Sequence, residues 1–429
     1  MAAALGFAFL LALMFGGVPI AFAMTLAGFV GFGFVVGWQP ALHMMSQVVH
    51  DSTLSYTFSV LPLFILMGNF VARSRLAADL FVAADAWVGH RRGGLAEATI
   101  WACGGFAAVC GSSAATSATM VHVALPSMRK RGYADTLSLG TIAAGGTLGI
   151  LIPPSGIMLL YGIATGTSVP ALFAAGVIPG IIACLLLAGT VRILTWRNPA
   201  LAPAGARATW PDRLATLWQV WGVIALFALI MGGILGGVFT ATEGGGIGAF
   251  GALLFALHRR ALDWKSFVGI LIQTGVTSAM IFAILFGAFV FATFVEVSGA
   301  PKLLGGLVRN LSIDPTVVML AIIVIYILLG VILEEISMMF LTLPLFFPLV
   351  TQLGYDPVWF GIILVIVIEL GMITPPIGIN LFVIKAMVPE TTQGQMLEAI
   401  LPFTYALVVL LVLLLAFPEL VLYLPRLIL

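Results

Sequence analysis

Long apolar runs separated by short polar or charged loops recur along the whole chain. Several approach or reach the roughly 20 residues that let a helix cross a hydrocarbon core, among them 217–238 and 317–333. The pattern predicts an all-α polytopic membrane protein. Segment 1–15 lacks a basic leader and runs directly into Gly16-Gly17-Val18-Pro19-Ile20, so it reads as a retained span rather than a cleaved signal.

Within this pattern, two segments break their own periodicity. The stretch Gly149-Ile150-Leu151-Ile152-Pro153-Pro154-Ser155-Gly156 matches Gly371-Met372-Ile373-Thr374-Pro375-Pro376-Ile377-Gly378, and the offset 371 − 149 = 222 aligns both glycines and both prolines. Gly132-Tyr133 and Gly354-Tyr355 repeat that offset, and Leu125-Pro126 has a counterpart, with a small slip, in Leu343-Pro344. Proline lacks an amide proton and clashes with the preceding turn, so each Pro-Pro should interrupt its helix and leave carbonyls unpaired. At membrane depth such carbonyls persist only where protein, a water-filled cavity or a bound ion satisfies them. The breaks are therefore candidate sites.

Composition and charge sharpen the picture. With 62% hydrophobic and only 8% charged residues, water is not the main solvent of this chain. A formal net charge of +1, with the basic residues confined to short loops, excludes the extended cationic face that nucleic acid requires. Fifteen of the eighteen Lys and Arg fall in five loops: Arg73, Arg75, Arg91 and Arg92; Arg129, Lys130 and Arg131; Arg192, Arg197, Arg207 and Arg213; Arg259, Arg260 and Lys265; and Lys385. These share the cytoplasmic side only if 94–125 and 316–350 enter and return as re-entrant hairpins. Lys302, Arg309, Arg426 and both termini then lie outside. About ten crossings remain, an odd number separates the two Pro-Pro breaks, and the repeat is inverted.

Several residues offer chemistry. The first hairpin carries Cys110-Gly111-Ser112-Ser113-Ala114-Ala115-Thr116-Ser117-Ala118-Thr119, whose small side chains allow close backbone approach and whose hydroxyls supply the hard oxygens that sodium needs. Such a run also suits plain helix packing. At the second hairpin, Glu334-Glu335-Ile336-Ser337 sets two carboxylates between apolar arms, expensive unless they meet water, a cation or backbone donors. Glu369, two residues before Gly371, is a coupling group, a scaffold acceptor or a partner of Lys385; Glu243 caps a helix start. The glycines after Glu243 have neither the preceding strand nor the lysine of a phosphate loop. The five histidines and the cysteines Cys103, Cys110 and Cys184 show no ligand spacing. Leu76, Leu80, Phe81 and Val88 suggest an amphipathic helix along the inner surface.

Taken in order, Gly17-Val18-Pro19-Ile20-Ala21-Phe22, the run 61–68 (LPLFILMG), Gly89-His90-Arg91-Arg92-Gly93-Gly94-Leu95, the run 143–154 (AAGGTLGILIPP), Leu160-Tyr161-Gly162-Ile163-Ala164-Thr165-Gly166 and the run 374–382 (TPPIGINLF) resemble the large membrane subunit of tripartite ATP-independent periplasmic (TRAP) transporters, DctM-like members of the ion transporter superfamily. The resemblance covers nearly the whole chain. It implies a sodium-coupled elevator, in which a mobile domain with two hairpins and two discontinuous helices slides against a fixed scaffold in the bacterial inner membrane. It also implies two partners that are not fused to this chain: a small four-helix membrane subunit, and a soluble extracytoplasmic binding protein that delivers an organic acid.

By the same resemblance, Gly111, Ser112, Ser113, Thr116, Gly146, Thr147, Gly149 and Pro153 form a first sodium site. Glu334, Glu335, Ser337, Gly371, Thr374 and Pro375 form a second, and Ser113, Pro154, Pro376 and Asn380 face the solute. The expected organisation is N-terminal scaffold helices over 1–56; a first inverted repeat over 57–195, with hairpin 94–125 and broken helix 134–165; central scaffold helices and a cytoplasmic linker over 196–265; and a second repeat over 266–429, with hairpin 316–350 and broken helix 357–388. Two readings compete. A single-subunit sodium- or proton-coupled anion carrier of the same superfamily would share the hairpins, and an intramembrane serine protease would use Gly111-Ser112-Ser113 with His122 as base.

Overall fold

The computed structural model describes residues 2–311, 313–374 and 378–428. Among these the chain is helical throughout, and extended backbone pairs only at an isolated bridge between Arg92 and Ala204. A chain this apolar must satisfy its backbone within each segment, and the helix does so. Six of the described helices are long and apolar enough to cross a membrane, seven if Trp210–Gln219 and Trp221–Leu235 count as one. That pair bends by 47°, so the run read as a span over 217–238 is divided at Val220. Trp210–Gln219 exposes Asp212, Trp210 and Trp218 and buries Arg213, whose guanidinium lies over the Trp87 and Trp210 rings.

Both hairpins and both breaks form. The first hairpin has arms Gly94–Cys110 and Ser113–Val123, followed by a broken helix made of Asp135–Leu151 and Gly156–Thr165. The second has arms Pro315–Gly330 and Glu335–Gln352, followed by Pro357–Ile373 and Ile379–Met387. The returning arms start at Ser113 and Glu335; the broken helices start at Asp135 and Pro357 and first end at Leu151 and Ile373. Each pair keeps the offset that aligns Gly149 with Gly371. The slipped match of Pro126 with Pro344 needs correction: the unslipped offset pairs Pro126 with Pro348, because the second returning arm continues unbroken to Gln352.

Ion pairs show that both ends of the first hairpin sit at one face. Arg131, just beyond the hairpin, forks onto Asp85, just before it, at 2.8 and 2.5 Å. Glu97 at its base meets Arg192 at 3.2 Å and Arg91 at 3.7 Å, Arg129 pairs with Asp135 and Glu390, and Arg259 pairs with Asp79. Members of all five basic loops, or their immediate neighbours, thus gather on one surface, as the charge pattern predicts. The amphipathic helix Leu76–Val88 lies there, burying Leu76, Ala77 and Phe81. Burial holds the Asp79 carboxyl above its usual range, a shift that Arg259 partly offsets. At the second hairpin, Gln352 at its end reaches Gly305, which precedes its start, so this chain segment also returns to the side it left. The Thr342 and Tyr326 hydroxyls, 2.6 Å apart, tie its arms together.

The two halves interlock. Gly156–Thr165 packs against the returning arm Glu335–Gln352, and Ile379–Met387 against Ser113–Val123, so each broken helix meets the other repeat's hairpin. Asp135–Leu151 and Pro357–Ile373 lie against each other at the centre. Every residue from Leu137 to Leu151 and from Trp359 to Ile373 is buried, as expected of helices apolar on all sides. A second packing group surrounds this core: Ile20–Val35 lies along Trp264–Val297, and Val60–Arg73 along Ala241–His258.

Candidate functional site

Gly111 ends the first arm in the left-handed region, φ +67°, and Ser112 is extended. The turn lets the Ser112 Oγ accept from the Ala115 N–H, while the Ser112 carbonyl accepts from the Thr116 N–H and hydroxyl at 3.1 and 2.8 Å. The returning arm therefore starts with its N-terminal amides presented at the tip.

Facing the tip is the first break. Asp135–Leu151 stops before Ile152; Pro153 and Pro154 are joined by a cis peptide bond, and Ser155 caps Gly156–Thr165 by accepting from the Met158 N–H. Its hydroxyl donates back to the Ile150 carbonyl, and the Gly156 N–H donates to the Gly111 carbonyl at 3.4 Å. Contact between tip and break is so close that a Cβ on Gly149 would lie 2.5 Å from the Ser112 oxygen, and one on Gly111 2.8 Å from the Pro154 oxygen. Gly146 leaves room for the Ser117 hydroxyl.

Of the residues expected at the first sodium site, Ser112 and Ser113 of the hairpin lie against Gly149 of the broken helix, Thr116 bonds back to the Ser112 carbonyl and Pro153 lies in the break, while Gly111 lies against Pro154, a residue expected to face the solute. Thr147 is fully buried with its hydroxyl on the Ala144 carbonyl. Asn380 joins this cluster from the second repeat, its amide nitrogen donating to Ser113 Oγ at 2.7 Å and to the Ala143 carbonyl at 3.5 Å. Two buried oxygens there have no hydrogen-bond partner, Asn380 Oδ1 and Ser117 Oγ. The sequence reading singles out neither Ser117 nor the Ser155 cap, although Ser117 lies four residues after Ser113 and so shares its helix face.

The second site repeats the plan with different chemistry. Gly371 meets Gly330 of the outgoing arm, where a Cβ would fall 2.8 Å from the Gly330 Cα. Glu334 occupies the capping position held by Ser112 in the first copy, its carboxylate accepting from the Ser337 N–H at 3.0 Å and the Ser337 hydroxyl at 2.9 Å. Glu335 follows with its Oε2 buried and unpartnered, and the Thr374 hydroxyl donates to the Leu370 carbonyl. Pro375 and Pro376 lie outside the described residues.

Three further residues find their places. Glu243 closes a capping box with Thr240, whose N–H donates to it at 2.7 Å. Lys385 donates to the carbonyls of Pro389 and Thr391, not to Glu369. His122 sits nine residues beyond Ser113 on one helix, about 13 Å along the axis, and the partner of Ser113 is the Asn380 amide. The described arrangement lacks the base that a serine nucleophile needs.

A cavity of about 790 Å3 lies elsewhere, between the two packing groups. Asp51, Glu296 and Lys302 line it on one side, and Thr165, Phe340 and Gln352 on the other. The described residues of the tips and breaks contribute none of its wall.

Residues 7–420 match the family model described as tripartite ATP-independent periplasmic transporter, DctM component. This chain belongs to that family. It is 35% identical over 378 residues to the C4-dicarboxylate TRAP transporter large permease protein DctM of Pseudomonas aeruginosa, covering 88% of each chain. It is 32% identical to the protein of that name from Rhodobacter capsulatus, covering 100% of this chain and 99% of the relative. The crystal structure of the Alcanivorax borkumensis YdaH transporter is similar in fold, with a TM-score of 0.61 at 16% identity, covering 90% of this chain and 91% of that one. The protein is a multi-pass TRAP large permease, and its two tip-and-break pairs are the features that membership must explain.

Proposed function

We propose that this permease performs sodium-coupled uptake of a small organic acid across the bacterial inner membrane by an elevator motion. A small four-helix subunit completes the membrane assembly, and a soluble extracytoplasmic protein delivers the solute. The observation that carries the reading is the close approach of hairpin to broken helix at a glycine in each copy, Gly149 against Ser112 of the first tip and Gly371 against Gly330 at the end of the second outgoing arm.

The chemistry fits a cation and an anion side by side. The carbonyl end of Asp135–Leu151 carries the negative end of its dipole and suits sodium, with Ser117 Oγ and Asn380 Oδ1 as spare oxygens. The amide ends of Ser113–Val123 and Gly156–Thr165 suit a carboxylate. The acidic second tip, with Glu334 and Glu335 following the arm that meets Gly371 at Gly330, suits a second sodium. Sodium and solute stabilise the same closed tip, and that shared stabilisation is the coupling. The interlocked repeats move as one body, while the group built on Ile20–Val35 and Trp264–Val297 stays fixed. The cavity between the two groups marks the sliding surface.

Because the relatives are named for C4-dicarboxylates, succinate is the first solute to test. The experiment reconstitutes this chain in vesicles with its small subunit and binding protein and measures labelled uptake with and without an inward sodium gradient. Uptake that needs all three proteins and the gradient is expected. Undiminished uptake by this chain alone would establish the single-subunit carrier instead.

A further inference from the structure

We infer that Arg213 holds the phosphate of an anionic phospholipid at the basic surface, where the connector 198–209 leads into the helix Trp210–Gln219. Arg213 is only 6% exposed, and its Nε and Nη2 are buried without a hydrogen-bond partner. Its guanidinium lies over the rings of Trp87 and Trp210, 5.7 and 5.2 Å from their centroids. Stacking of this kind favours the charge but leaves the N–H donors in the guanidinium plane unused.

Other arginines of this surface are paired: Arg131 with Asp85, Arg259 with Asp79, and both Arg91 and Arg192 with Glu97. Among the described residues no carboxylate pairs with Arg213, Arg207 or Arg92. Asp212, the neighbour in sequence, is taken by the N–H and hydroxyl of Thr209. His90 shows the sign of the place, because burial, and then the guanidiniums of Arg213, Arg91 and Arg207, hold its imidazole below the usual range. A buried guanidinium without a partner is costly, and its planar fork matches the oxygens of a phosphate.

The apolar residues beside the guanidinium select a phospholipid. Trp210, Leu214, Leu217 and Trp218 stand at i, i+4, i+7 and i+8, so they form one stripe, and all four are exposed. Their helix bends by 47° from Trp221–Leu235 and packs on Leu76–Val88 with the stripe uncovered. Such a helix lies in the headgroup layer, where tryptophan concentrates, and Trp196 and Trp264, at the ends of two apolar helices nearby in the chain, are exposed as well. Acyl chains cover the stripe while the phosphate reaches Arg213 at its flank; a free anion would satisfy the guanidinium and leave the stripe bare. The connector is itself stitched to the first repeat, with the Tyr133 hydroxyl donating to the Pro203 carbonyl, the Ala134 N–H to the Leu201 carbonyl, and Arg92 bridging Ala204. The lipid therefore fixes the junction between that connector and the interfacial helix.

The test needs neither sodium nor solute. The purified full-length permease in neutral detergent is incubated with phosphatidylglycerol and phosphatidylcholine in equal amounts, and retained lipid is read by native mass spectrometry for wild type and Arg213→Gln. Retention of phosphatidylglycerol by wild type, weakened roughly tenfold in Arg213→Gln, is expected. A rise in Tm on adding phosphatidylglycerol, reproduced neither by phosphatidylcholine nor by inorganic phosphate, is expected alongside it. If Arg213→Gln does not insert, Arg213→Lys replaces it; this variant keeps the charge and loses the fork, and a smaller loss of retention is the expected result. Equal retention by wild type and the variant overturns the inference, and so does full stabilisation by inorganic phosphate, which would mark a site for a free ion. Displacement of phosphatidylglycerol by the proposed small subunit would assign Arg213 to a protein carboxylate and also overturn it.

Discussion

Gly149 and Gly371 set how closely each hairpin approaches its break. A methyl group at 149 would meet the Ser112 carbonyl at 2.5 Å, so the tip must move away. Overpacking of this kind costs about 1–3 kcal/mol, and Gly149→Ala should weaken half-maximal sodium activation on the order of tenfold, measured as uptake against sodium concentration at matched protein level. Ser113 and Asn380 form the cross-repeat hydrogen bond at 2.7 Å. Removing Asn380 leaves the buried Ser113 hydroxyl unpaired, at a cost of about 1–3 kcal/mol, and removing Ser113 leaves the Asn380 amide only its longer bond to the Ala143 carbonyl. The double variant Ser113→Ala/Asn380→Ala should therefore lose less sodium affinity than the sum of the single variants, and a strictly additive cycle would show that the bond does not support the site.

The hairpins and broken helices are legible from proline placement and charge. Pro153-Pro154 marks its break because the helix cannot pass it, and the five basic loops require the hairpins to return; Arg131 beside Asp85 realises that requirement at 2.5 Å. Less legible is anything that depends on which helices meet. That Asn380 reaches Ser113, 267 residues away, follows from packing Ile379–Met387 on the opposite hairpin, and no local pattern encodes it. The bend at Val220 is hidden because hydropathy averages over the polar residues of Trp210–Gln219. Replacing Pro153 and Pro154 with alanine lets the helix run on through the break. This should lower sodium dependence of uptake more than it lowers membrane expression, read by transport assay and immunoblot on the same vesicles.

For the molecule as a whole, the charged face and the buried core make different contributions. Arg131–Asp85 is a partly exposed pair, of the class worth about 0–1 kcal/mol and weakened by salt. Glu97 is buried at the hairpin base and depends on Arg192 and Arg91. Thermal unfolding in detergent should therefore show a larger fall in Tm for the pair Arg91→Ala/Arg192→Ala than for Arg131→Ala; equal shifts would contradict this ranking. The account stands on the idea that each interrupted helix, closed by its hairpin tip, holds a coupling cation. Equilibrium binding of radiolabelled sodium to the purified permease tests that idea most directly. Saturable binding that is reduced in Gly149→Ala and in Gly371→Ala, and more so in the double variant, is the predicted result. Binding that is absent from wild type, or identical in all four proteins, would contradict it.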